Sequence, residues 1–453
     1  MENRVCHRYI YIMLTASLLI NSTRSWSQNA PRFRPVPTSV VELTGFGRDG
    51  GIVALKDESL MLAQGGGIHE QSAKKPHYMI SRDKGQTWTT PQQLNSLIGV
   101  GGMIRLKSGA LGIYGRKNAA DASGGTYYFS RSTDDGKTWS PPKLISDYPG
   151  YRPMHHSLIQ LKSGRLLLSG YWEGLNANPP DVERHQRTGW GFWRGKILFM
   201  EGHRGVEMGI CVTFYSDDQG ETWNRSTGGV FGWFDRYGVP NGADGIIDLY
   251  EPTSAETKDG RVLMFSRSKT GRLVQCYSLD EGKTWYSAQP TELSSSQSPP
   301  LLIKVPKTGD LLCVWNQISA EEIRRGFLRG RLSVAHSQDN GLTWQNFKTI
   351  ELQEGMEEVD RILPEFPIAR RLVARPGLGQ LPHAFAMFTY PNVDIIGDRV
   401  FIRYARMWPT LKTGTTMRRD PSVPIMWPKY EEREAEMKSE GVLRIYPLEW
   451  FYK

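Results

Sequence analysis

The chain has 453 residues, with 56 Lys and Arg against 47 Asp and Glu, giving a formal net charge of +9 at neutral pH. A basic balance favours anionic partners, but the basic residues are dispersed and no nucleic-acid reading module is present, so no nucleic-acid partner is expected. With 47 Gly and 27 Pro and few amphipathic runs of helical length, the composition points to an all-β protein.

At the N-terminus, Arg4, His7 and Arg8 precede an apolar run from Tyr9 to Ile20, and Ser25-Trp26-Ser27 follows as a small-x-small site. The run is too short to span a bilayer, and the pattern predicts a secretory signal peptide over 1–27 cleaved after Ser27, with a retained anchor as the alternative. Residues 28–453 then form a single domain, secreted or periplasmic, with no membrane insertion of the mature chain. Cys6 leaves with the signal. Cys211, Cys276 and Cys313 each lie in an apolar strand pattern, which predicts buried thiols, or one disulfide plus a free thiol.

Five times the chain returns to S-x-D-x-G-x-T-W: Ser81 to Trp88, Ser132 to Trp139, Ser216 to Trp223, Ser278 to Trp285 and Ser337 to Trp344. Each copy reads as a hairpin turn, with Asp accepting backbone N–H groups, Gly taking a positive φ and Trp covering the turn. The copies are read as structural staples that touch no substrate. A second phrase lies between them: Leu106 to Leu111 around Ser108-Gly109, Leu161 to Leu166 around Ser163-Gly164, and Lys258 to Leu263 around Asp259-Gly260. These are two-residue hairpin turns. Two hairpins per repeat make a four-stranded antiparallel blade, and recurrence roughly every 50 to 85 residues means radially arranged units. Five marked blades with unmarked sequence at both ends predict a six-bladed β-propeller, closed by Val36 to Leu43 pairing near the C-terminus. An aromatic- and Arg-rich insertion at about 172–210 is long enough to overhang the axial mouth. Only Tyr430 to Ser439 has a helical pattern.

Glu251 stands just ahead of one strand, and Arg267 ends the next, across the Asp259-Gly260 turn. That spacing brings the two side chains to the same end of a blade, either as part of a site or as a surface ion pair. Tyr151-Arg152-Pro153-Met154-His155-His156 begins another blade at the same predicted end. Arg152, His155 and His156 are candidates to bind a sugar there, with general-base work open to either imidazole. No third ligand stands at metal spacing, so no metal site is predicted. Asp244 and Asp248 also lie close to the start of the Glu251 strand.

The repeated phrase is that of the Asp-box, or BNR, repeat, and the chain resembles the sialidase superfamily. Sialidases carry a similar arrangement of Glu, strand, turn, strand and Arg. The resemblance implies that Glu251 activates a nucleophile and that Arg267 belongs to a triad holding the substrate carboxylate. It implies a second triad Arg within Arg329-Gly330-Arg331-Leu332-Ser333-Val334, where Arg329 fits best and Arg331 is its rival, with Arg324 and Arg325 close by. The nucleophile it implies is Tyr390, in Phe388-Thr389-Tyr390-Pro391-Asn392-Val393, with Tyr404 as a partner or substitute. A neutral phenol avoids the repulsion that a carboxylate would meet beside an anionic sugar. The first-blade Arg-Ile-Pro phrase of sialidases is absent. Arg48 is the basic residue in register, and Glu70, with His69 as rival, stands where the acid is expected.

The leading expectation is therefore a secreted, retaining exo-glycosidase releasing a terminal anionic sugar, with no cofactor. Tyr390, Glu251 and Glu70 would be catalytic. Arg267, Arg329, Arg48, Arg152, His155, His156, Asp248 and Tyr404 would bind the substrate, an anionic glycan. The alternatives are a propeller lyase or glycosidase for uronic-acid glycans working through His155 or His156, and a glycan-binding propeller without turnover.

Overall fold

The computed structural model describes residues 33–65, 75–117, 126–147, 151–173, 188–193, 196–201, 209–240, 246–372, 386–411 and 435–453. Six four-stranded antiparallel sheets form the blades of a β-propeller. Blade I holds Gly51–Ala54, Leu60–Gln64, His77–Ser81 and Gln92–Gln93. Blade II holds Gly102–Arg105, Leu111–Gly115, Tyr127–Ser132 and Lys143–Ser146. Blade III holds Tyr151–Gln160, Leu166–Glu173, Gly209–Ser216 and Asn224–Arg225. Blade IV holds Tyr250–Glu256, Val262–Arg267, Arg272–Ser278 and Gln289–Ser294. Blade V holds Leu301–Lys304, Leu311–Trp315, Arg331–Ser337 and Gln345–Leu352. Blade VI holds Met387–Ile396, Arg399–Leu411 and Ala435–Pro447, and takes its outermost strand, Val41–Thr44, from the other end of the chain.

The first strand of each blade is innermost, and the six first strands touch one another in a closed cycle around the axis. The ring closes as expected at Val41–Thr44, where Val41 pairs with Ile445 and Thr44 with Val442. Glu42 on that strand reaches Arg406 (2.8 Å) and Arg444 (2.7 Å), which also hold the fully buried Glu351. The last blade is thus fastened by a buried ionic clasp as well as by backbone pairing. The helical expectation for Tyr430 to Ser439 fails where it can be read. Ala435–Ser439 is strand paired with Met407–Leu411, because a long partner strand supplies backbone acceptors that outweigh local propensity.

All five S-x-D-x-G-x-T-W segments adopt one geometry. In the first, Thr87 donates through N and Oγ1 to Asp83 (2.9 and 2.6 Å), and Gly85 N donates to Ser81 Oγ (2.7 Å). The same bonds recur around Asp134, Asp218, Asp280 and Asp339. The turn glycine lies against the preceding blade. A Cβ on Gly220 would stand 2.1 Å from Phe129 of blade II, and one on Gly282 would stand 2.5 Å from Leu167 of blade III. Each turn therefore staples its blade to the one before it, as expected of a purely structural repeat. The insertion contributes an isolated hairpin, Thr188–Trp193 with Lys196–Glu201. Cys211, Cys276 and Cys313 are buried free thiols.

Candidate active site

Three of the six innermost strands are broken near their starts by a bulge: between Pro153 and Leu158, between Tyr250 and Thr253, and between Thr389 and Asn392. Each bulge holds a non-glycine residue in the left-handed region: His156 at φ 49°, Glu251 at φ 47° and Tyr390 at φ 54°. Such a backbone costs roughly 1–3 kcal/mol per residue and persists where the surroundings impose it. Its effect is to re-aim a side chain that the strand would otherwise hold in simple alternation.

At two of these bulges the re-aimed groups meet. Tyr390 Oη donates to Glu251 Oε1 at 3.1 Å. Arg267, across the Val262–Arg267 strand, donates to Glu251 Oε2. This ion pair is buried, with 4% and 6% of the side chains exposed, so the surface-pair alternative does not hold. The guanidinium of Arg48 lies 4.6 Å from the Tyr390 ring centre, and that of Arg329 lies 5.1 Å away. His155 meets the same ring edge-on at 5.0 Å. Five residues from blades III, IV and V and from the turn before blade I thus surround one phenol of blade VI.

The electrostatics follow from this crowding. Burial raises the Tyr390 pKa and Glu251 raises it further, while Arg329, Arg267 and Arg48 pull it down. The net direction is up, so the phenol is neutral near pH 7. Burial also lowers the Arg329 pKa. Its Nη1 and Nη2 are buried and reach no carboxylate or carbonyl oxygen among the described residues, the Tyr390 hydroxyl being the polar group beside them. Two charged donors left in that condition are costly unless a ligand anion answers them.

Arg331, the rival of Arg329, is placed elsewhere. Completely buried, it donates to Glu322 (2.9 Å) and to the carbonyl oxygens of Gln317 (2.9 Å) and Glu357 (2.6 Å). Arg324 pairs with Glu365. Arg331 opens the strand Arg331–Ser337, whereas Arg329 precedes it, its carbonyl oxygen accepting from Phe388 N at the edge of blade VI, so strand alternation does not relate the two side chains. Tyr404 does not join the site. Its hydroxyl donates to Glu351 at 2.5 Å inside the ionic clasp, on the sheet face opposite to its neighbour Arg403. His156 also does not join the groups around the Tyr390 ring, its own ring nitrogens facing the carbonyl oxygens of Gly50 and Val393. Arg152 pairs in register with Tyr171 on blade III, and Asp248 is buried 3.9 Å from Lys269 Nζ. Glu70, His69 and Asp244 lie outside the described residues, as do the signal segment and most of the insertion.

A family model described as a BNR repeat-like domain matches residues 108–402. The chain belongs to the BNR repeat-like family. No match to a curated protein reaches significance. Among solved structures, the BNR chain is similar to a protein of unknown function from Dyadobacter fermentans (15% identity, TM-score 0.49, 91% of this chain and 98% of that one). It is similar to the Hadza microbial sialidase Hz136 (17%, TM-score 0.49, 88% and 65%) and to the NanB sialidase of Streptococcus pneumoniae (14%, TM-score 0.45, 83% and 66%). It spans about two thirds of the length of those two sialidases.

The sequence reading of this BNR chain missed the layer beneath the phenol. Arg403 donates to the carbonyl oxygens of Asp49 (2.8 Å) and Gly50 (3.0 Å), and Asn392 donates to that of Arg48. Asp394 accepts from Ile52 N at 3.0 Å. Alternation places Arg403 on the face opposite Tyr404, but the bulge between Thr389 and Asn392 breaks the alternation that would have related Asn392 and Asp394 to Tyr390. Among the described residues, no group of three or more His, Cys, Asp or Glu is placed to hold a metal ion.

Proposed function

We propose that this protein is a retaining glycosidase of the sialidase type, releasing a terminal anionic sugar, sialic acid or one like it, from glycans outside the cytoplasm. The observation that carries the reading is the pair of orphaned Arg329 nitrogens beside a phenol already bonded to a carboxylate. A carboxylate-bearing sugar would supply the missing acceptors bidentately to Arg329, with Arg267 and Arg48 on either side. Tyr390 would attack the anomeric carbon while Glu251 takes the phenolic proton, forming a covalent glycosyl-enzyme. Water would then release the sugar with its configuration retained. Glu70 is assigned as the acid that protonates the leaving oxygen, and the signal pattern supports a secreted or periplasmic address.

A lyase working through His155 or His156 finds less support. His155 is 1% exposed and packs on Tyr390, and both nitrogens of His156 face backbone oxygens. The test is release of 4-methylumbelliferone from its α-sialoside, with the first-formed anomer of the free sugar read by NMR. The reading requires turnover with the α-anomer released first, and loss of turnover in Tyr390→Phe. Binding of sialosides without turnover would leave a glycan-binding propeller in its place.

A further inference from the structure

Of the three bulged innermost strands, two deliver Glu251 and Tyr390 to the site, and the third delivers His156, to which the proposed reaction gives no task. Its backbone is held in place: His156 N donates to Gly101 O at 3.0 Å, and a Cβ on Gly102 would stand 3.2 Å from its Cα. Nδ1 is 2.9 Å from Gly50 O of the turn before blade I. Nε2 is 2.9 Å from Val393 O of blade VI and 3.2 Å from Asp394 Oδ1. Carbonyl oxygens accept and do not donate. A neutral imidazole carries one N–H, so it would turn a lone pair onto an oxygen at one end or the other. Only the imidazolium satisfies both ends.

Other charges around the ring agree with that state. From blade VI, Asp394 faces Nε2, and Arg403 opposes the charge while sharing Gly50 O as an acceptor. Asp49 and Arg48 stand on the turn before blade I, Tyr114 reaches in from blade II to Met154 O, and His155 is the neighbour on the same strand. Burial lowers the His156 pKa, Asp394 more than offsets that, and the net direction is up.

The groups tied by His156 flank the nucleophile. Gly50 lies two residues after Arg48, and Val393 lies three after Tyr390. An axial cavity of about 700 Å³ is lined in part by His156 and Asp394, while Tyr390, Glu251, Arg267 and Arg48 are not part of its lining. Asn392, Arg403 and His156 all fasten the Arg48 turn, and His156 is the member of that set whose ring can gain or lose a proton.

We propose that His156 is a positioning residue, an imidazolium that pins the Arg48 turn to the Tyr390 strand and so sets the distance between the first guanidinium and the attacking phenol. This rests on the reading of Tyr390 as nucleophile. When the ring loses a proton, one carbonyl faces a lone pair, the turn is released on that side, and Arg48 leaves the phenol face.

The experiment uses the full chain with [15N]His and [13Cζ]Tyr labels, Tyr390 being assigned by the signal missing in Tyr390→Phe. Both His156 nitrogens are expected at imidazolium shifts at pH 7, and the Tyr390 signal is expected to move in step with the His156 titration. In His156→Met that movement should vanish while the far-ultraviolet CD spectrum is kept. With a sialoside substrate, kcat should fall about 10- to 100-fold as His156 deprotonates, and the variant should lack this alkaline limb. His156→Gln, which offers two N–H donors, should recover part of kcat without pH dependence over the same range. A neutral ring at pH 7, or a Tyr390 signal indifferent to His156, would overturn the proposal. A protein that cleaves no sialoside would overturn the glycosidase reading alone, because both resonances can still be read.

Discussion

Tyr390 and Glu251, 139 residues apart in the chain, share a 3.1 Å hydrogen bond between blades VI and IV, and both hold backbone angles that strands ordinarily reject. The carboxylate is already committed to Arg267 through its other oxygen. A phenol bonded to a carboxylate inside a ring of guanidinium groups can surrender its proton without leaving an isolated charge behind.

Replacing either partner should abolish turnover but with different effects on folding. Glu251→Gln removes the base, an effect of about 100- to 10,000-fold on kcat. It also leaves Arg267 buried without its counter-charge, which costs about 3–5 kcal/mol. Tyr390→Phe should be equally inactive, yet it loses only one bond to the carboxylate and leaves the Glu251–Arg267 pair in place, a cost of about 1.5–3 kcal/mol. Denaturant unfolding of both variants separates the two effects. Equal loss of stability would mean that the Glu251–Arg267 pair is not the buried contact described.

Arg329 should show the opposite trade. Its terminal nitrogens reach no anionic acceptor among the described residues, so Arg329→Met relieves a buried charge and should leave the free protein as stable as before, or more so. Substrate affinity should fall about 10- to 150-fold, the worth of a charge-assisted bond, read as a rise in KM. Arg331→Met is the control. It strips bonds from Glu322, Gln317 and Glu357 and should destabilise the fold by about 3–5 kcal/mol.

The architecture was legible in the sequence because its signals are local. An Asp, a Gly and a Trp at fixed offsets encode one turn, and five copies encode its recurrence around a ring. The site was legible in part for the same reason: the turn at Asp259-Gly260 places Glu251 and Arg267 at one blade end. The neighbours Arg329 and Arg331, and Tyr390 and Tyr404, were harder to separate. Their roles depend on bulges, on where a strand begins and on the sheet face each side chain takes, and composition carries little of that. The task of His156 was invisible, since it consists of two carbonyl oxygens contributed by residues 106 and 237 positions away.

The clasp that closes the ring should show itself on acidification. Burial alone would raise the Glu42 pKa, but Arg406 and Arg444 override it and hold the carboxyl below its ordinary value. A depressed carboxylate pKa contributes stability that is fully present above the unfolded value of 4.5 and is lost as the pH falls through the folded one. Glu42→Gln should therefore weaken the protein at pH 7 and flatten its loss of stability below about pH 4.5. Burial shifts Glu351 in the opposite direction, so the assignment needs the variant rather than the wild-type curve. An unchanged slope below that pH in Glu42→Gln would remove Glu42 from the acid response.

The three thiols make a prediction that needs no substrate. Cys211, Cys276 and Cys313 are buried in blades III, IV and V. Burial pushes the Cys211 thiol up to about 12, and it drives the other two well above their usual value. The thiolate is the reactive form, so a thiol both inaccessible and protonated should ignore a disulfide reagent at pH 8. No equivalent of any of the three should react with Ellman's reagent in the folded protein, and all three should react in guanidinium without prior reduction. A requirement for reductant would reveal a disulfide and displace at least two of these strands from the packing described. Fast reaction of a single native thiol would instead mark the blade that opens first, with blades III and IV the pair to watch because Cys211 Sγ lies 3.4 Å from Ser266 Oγ across their interface.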